Sequence, residues 1–90
     1  MERLHAVIHG EVQGVGFRYF LLDSARPLGL QGWVRNRSDG AVELVAEGER
    51  AKLELLLRAA RQGPRHARVD TVDVEWQAAA GGLARFDLVY

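Results

Sequence analysis

Apolar residues in this chain repeat with two different periods, and the order in which those periods alternate constrains the fold more than any other feature. Leu4 to Gly10 (LHAVIHG) is apolar and β-branched and reads as a strand. Phe17, Phe20, Leu21, Ser24 and Leu28 then share one stripe at helical spacing, which predicts a helix from Arg18 to about Leu28. Gly29 suits the residue just past a helix end, and Pro27 makes the last turn irregular. Gln31 to Arg37 and Ala41 to Glu47 read as strands joined by Ser38-Asp39-Gly40, since Asp-Gly between two such runs signals a hairpin. Leu53, Leu56, Leu57 and Ala60 predict a second helix over about Glu49 to Gln62, stopped by Gly63-Pro64. Val69 to Trp76 alternates as a strand, and Arg85 to Tyr90 closes the chain with Phe86, Leu88 and Tyr90 on one face. The order is β-α-β-β-α-β plus a short final strand. It predicts an α+β, ferredoxin-like split βαβ sandwich, with two helices on one face of a mainly antiparallel sheet.

Length and composition narrow the function classes. Ninety residues fit a single domain spanning 1–90. Twelve basic and twelve acidic side chains cancel, and eleven of the twelve cations are Arg. A zero balance argues against a domain that holds nucleic acid by bulk charge. The absence of Cys excludes disulfides, a thiolate nucleophile and a Cys-bound zinc. No apolar run approaches the roughly 18 residues of a membrane span, and the start of the chain is unlike a signal peptide, so a cytoplasmic protein is expected. His5 and His9 share a strand face, but no further His, Cys or carboxylate motif completes a metal site. Trp33 reads as packing rather than as a substrate contact.

Val12-Gln13-Gly14-Val15-Gly16-Phe17-Arg18 carries the chemistry. It links a strand to the start of a helix, where two glycines allow successive backbone N–H groups to turn inward around an anion. The helix behind it adds free N–H groups and the positive end of its dipole. Arg18 adds a planar fork that matches two phosphate oxygens. An Arg at a helix start is otherwise unfavourable, because the dipole prefers anions there. The run fits neither a Walker loop nor a dinucleotide fingerprint, which needs a third Gly where Tyr19 stands. On these residues alone, a flexible turn carrying an exposed Arg is the competing reading.

Longer motifs decide between them. Gly10-Glu11-Val12-Gln13-Gly14-Val15-Gly16-Phe17-Arg18 resembles the acylphosphatase signature G-x-V-Q-G-V-x-F-R. Gly32-Trp33-Val34-Arg35-Asn36, followed by Asp39-Gly40-Ala41-Val42-Glu43, resembles that family's second signature. Gly63-Pro64 and the closing Phe86 to Tyr90 extend the likeness over essentially the whole chain. The resemblance implies hydrolysis of acyl phosphates to a carboxylate and inorganic phosphate, with no metal and no cofactor. It implies catalytic roles for Arg18 and Asn36, and a phosphate-binding loop of Gln13, Gly14, Val15, Gly16, Phe17 and Arg18. The expected partners are the small acyl phosphate and its phosphate product, without nucleic acid or membrane, and the expected state is a monomer. A module that binds phosphate or a partner without turnover is the other reading.

Connectivity supports the pairing of the two residues. A strand-helix-strand crossover makes the first two strands parallel, so both end at one edge of the sheet. With one strand between them, the loop and Asn36 are expected roughly 10 Å apart, close enough for a phosphoryl group and a water to bridge.

Overall fold

Each periodic segment forms the element its spacing implies, in a computed structural model that describes residues 1–90. The elements are β1 (Glu2–Glu11), α1 (Phe17–Ala25), β2 (Gln31–Asn36), β3 (Val42–Gly48), α2 (Arg50–Gln62), β4 (Arg68–Ala78) and β5 (Asp87–Leu88). They build a five-stranded sheet in the order β4-β1-β3-β2-β5. All neighbours are antiparallel except β2 and β5, which run parallel. Because β1 and β2 both run antiparallel to β3, they are parallel to each other and end at the same edge.

One face of the sheet carries both helices. Leu4, Ala6 and Ile8 of β1 lie in register with Ala46, Leu44 and Val42 of β3, and all six are fully buried. Leu21 of α1 and Leu53 and Leu56 of α2 pack onto this layer, with Phe17 and Phe86 among the largest buried side chains. Complete burial of an aromatic ring stabilises the fold by roughly 1.5–3 kcal/mol. No helix is long and apolar enough to cross a membrane.

β1 and β4 extend beyond the expected Leu4 to Gly10 and Val69 to Trp76, and two further boundaries differ for a physical reason. The first helix is α-helical only to Ala25, and Arg26–Leu28 form a 3₁₀ turn. Pro27 has no N–H to continue the α-helical ladder, so the chain tightens before Gly29 turns it out at φ 70°. The last strand is Asp87–Leu88 rather than Arg85 to Tyr90. Phe86 is buried as expected and Leu88 is half-buried, but Tyr90 is exposed, because β5 pairs only with Trp33 and Val34 before the ladder ends.

The other face is where alternation misleads. Glu43 and Glu47 alternate with Val42, Leu44 and Ala46 and so face away from the helices, yet they are 8% and 4% exposed. Arg35 Nη2 lies 2.7 Å and His5 Nε2 lies 2.6 Å from the Glu43 carboxylate. Arg3 Nε donates to Glu47 at 2.7 Å, and the Ala80 and Gly81 N–H groups donate to it at 2.8 and 3.1 Å. The segment after β4 thus covers Glu47 on its way towards β5.

Candidate active site

At the edge where β1 and β2 end, the chain leaves β1 through Val12 to Gly16 and enters α1 at Phe17. Gly14 and Gly16 hold φ values of 75° and 78°, a region that favours glycine. Their requirement is conformational, since a Cβ at either would meet no atom within 4 Å. Gly16 caps the helix without any side-chain bond to its N–H groups, and the first turn holds no acidic residue. None of the backbone bonds in loops and turns is donated by an amide from Gln13 through Tyr19. The loop therefore gathers donors that the protein itself leaves unused.

A cavity of about 170 Å³ lies between this loop and the end of β2, lined by Val12, Gly14, Gly16, Phe17, Arg18, Tyr19 and Asn36. Arg18 is half-buried and has no carboxylate within ion-pair distance. Its guanidinium instead sits 5.3 Å from the centre of the Tyr90 ring, a cation–π distance that keeps the charge uncompensated. Asn36 is the last residue of β2 and pairs with Val42, so its side chain is on the helix face, towards the loop. Its amide makes no hydrogen bond within the protein. No carboxylate or imidazole lines the cavity.

Of the residues singled out on sequence, the structure brings Gly14, Gly16, Phe17, Arg18 and Asn36 to one cavity. Gln13 and Val15 belong to the loop, but their side chains serve elsewhere. Val15 packs against the core, and Gln13 Nε2 donates to the Arg37 and Ala41 carbonyls at 2.7 and 3.0 Å. The structure adds three residues the sequence reading missed: Val12 and Tyr19 in the lining, and Tyr90 against Arg18. Val12 lies within the signature and Tyr19 directly follows it, so both could have been found by proximity. Tyr90 is remote in sequence and carried no such signal. Glu11, which would oppose an anion at the loop, is held by Arg68 at 2.9 Å. His5 and His9 contact separate carboxylates, Glu43 and Asp73.

Residues 4–88 match the family model for acylphosphatases. The chain belongs to the acylphosphatase family. It is 52% identical to an acylphosphatase from Anaeromyxobacter sp., over 98% of this chain and 95% of that one. It is 54% identical to an acylphosphatase from Salinibacter ruber, over 94% of this chain and 90% of the relative. The crystal structure of acylphosphatase from Bacillus subtilis superposes with a TM-score of 0.96 at 39% identity, covering all of both chains. This acylphosphatase chain is accordingly a hydrolase of acyl phosphates, with the α+β ferredoxin-like fold of its family.

Proposed function

We propose that the acyl phosphate is hydrolysed in the cavity beneath the Gln13–Arg18 loop, with Arg18 and Asn36 as its catalytic residues. The observation that carries this reading is a convergence of unused groups. Free loop amides, an unpaired Arg18 and an unbonded Asn36 amide surround one space of about 170 Å³. The backbone N–H groups of Gly14 to Arg18 and the Arg18 fork grip the phosphoryl oxygens. The Asn36 side chain accepts from a water and orients it towards phosphorus. The water oxygen bonds to phosphorus as the bond from phosphorus to the acyl oxygen breaks. The acyl group leaves as a carboxylate, and both water protons end on the phosphate.

Such sparse machinery suits this substrate. A carboxylate is a weak base and departs without a proton donor, which matches a lining that holds no carboxylate or imidazole. The transferred group spreads its charge over three oxygens, so positioning and electrostatic stabilisation supply most of the catalysis. Oriented donors of this kind are worth about 10²–10³ in rate each. Because Arg18 and the amides neutralise that charge themselves, no metal is required.

We further infer that residues 1–90 act as one domain and as a monomer, in the cytoplasm. Acetyl phosphate should be hydrolysed in the presence of EDTA, with inorganic phosphate as a competitive inhibitor. Activity that is lost to EDTA and restored by magnesium overturns the metal-free mechanism. Elution at twice the 10.0 kDa mass, measured by light scattering, overturns the monomer.

A further inference from the structure

We infer that Gln13 is a positioning residue that sets Asn36 against the phosphate loop. The two halves of the site stand on strands that never pair, because β3 runs between β1 and β2. Something must therefore fix the loop relative to the end of β2. Gln13, at the start of the loop, reaches across β3 to the β2–β3 turn and donates to the carbonyls of Arg37 at 2.7 Å and Ala41 at 3.0 Å. Arg37 directly follows Asn36, so this latch grips the residue next to the one that orients water.

The turn it grips is itself tightly bonded. Arg37 N–H donates to Ala41 at 2.8 Å, and Gly40 N–H donates back to Arg37 at 3.2 Å. Asp39 accepts from the Ala41 N–H at 3.1 Å and pairs with the Arg37 guanidinium at 2.8 Å. A displacement of the loop therefore passes through Gln13 into a stiff turn and on to Asn36, rather than being absorbed between them. Gln13 uses both protons of its terminal amide in this role, so its side chain has no donor left for phosphate. Only its backbone N–H remains available to the loop. Misplacement by an ångström at a reacting centre costs about 10²-fold in rate, so a latch of this kind acts on turnover.

The inference rests on the proposed role of Asn36, and a double-mutant cycle separates the two. Gln13→Ala should lower kcat for acetyl phosphate about tenfold while phosphate inhibition changes by less than threefold. In an Asn36→Ala background, the same substitution should change kcat by less than twofold, because the group it positions is gone. Gln13→Met keeps the length of the side chain without its donors, and it should reproduce the effect if Gln13→Ala fails to fold. A tenfold loss in both backgrounds overturns the positioning role, and so does an unchanged kcat in the native background. Should Asn36→Ala alone leave kcat normal, the water-orienting role falls, and the latch loses its target with it.

Discussion

Two regions of this molecule use the same residue types in opposite ways. On the open face of the sheet, Arg3, Arg35, His5 and the Ala80 and Gly81 amides all point at Glu43 or Glu47. At the loop, Arg18, the Asn36 amide and the backbone N–H groups point at no protein acceptor. Every buried side-chain polar atom in the chain has a partner, and the other cations without a carboxylate, Lys52, Arg58, Arg61, Arg65 and Arg85, are exposed, whereas Arg18 is half-buried. At the loop, Arg18, Asn36 and the glycine backbone line one cavity. A paired Arg has its field largely cancelled by its carboxylate, whereas an Arg stacked on Tyr90 keeps its field for a ligand. Pairing state together with partial burial, more than residue type, separates the loop from the paired face.

Removing the unpaired groups should therefore damage activity and spare stability. Arg18→Ala should cost about 10³-fold or more in kcat/KM and weaken phosphate binding, as expected if Arg18 has its proposed contact with the phosphoryl group in ground and transition states. Arg18→Lys should recover little, because an ammonium keeps the charge but loses the fork. Asn36→Ala should lower kcat about 10²-fold with phosphate affinity within a few-fold, since its proposed contact is to the water. Steady-state kinetics, phosphate titration by calorimetry and thermal melts on the three variants read all of these effects. An Arg18→Ala protein that binds phosphate normally, or melts far below the native protein, would erase the distinction between the two regions.

Removing a paired group should do the reverse. Glu43→Ala strips the acceptor from His5 and Arg35, both of which still reach water. The expected loss is about 1–2 kcal/mol, which in a domain of this size lowers Tm by roughly 4–16 °C. Turnover per folded molecule should stay within twofold, because Glu43 lies on the face of β3 away from the cavity. A kcat that falls with Tm unchanged would show that the network feeds the site.

The distinction was half legible in the sequence. Strand and helix order followed from period alone, because Leu4, Ala6 and Ile8 or Leu53, Leu56 and Leu57 meet the core whatever else surrounds them. The loop was legible because Gly14, Gly16 and Arg18 are adjacent and Arg18 sits against the local dipole preference. Glu43 and Glu47 were not legible as buried groups. Alternation reports only the strand itself, and their partners come from β1, β2 and the segment after β4. The role of the Gln13 side chain was not legible for the same reason: its neighbours in sequence are loop residues, while its hydrogen-bond partners are 24 and 28 positions away.

The smallest expected effect concerns acid. In Glu43, burial pushes the carboxyl pKa up, but the hydrogen bonds from His5 and Arg35 outweigh it and hold the group below its ordinary 4.5. In Glu47, the Ala80 N–H leads and Arg3 and the Gly81 N–H assist against burial, with the same direction. A folded-state pKa below the unfolded one means that the unfolded chain binds the proton first. The stabilisation is therefore complete well above pH 4.5 and fades as the pH drops through the lowered folded values. Glu43→Gln keeps the side-chain shape but cannot ionise, which tests the charge rather than the packing. Its stability deficit should be greatest at neutral pH, and the native and variant curves should converge as the solution is acidified below 4.5. Urea unfolding at a series of pH values measures this directly. A constant offset between the curves would mean that Glu43 acts through shape and hydrogen bonding alone, and that its charge adds nothing to the paired face.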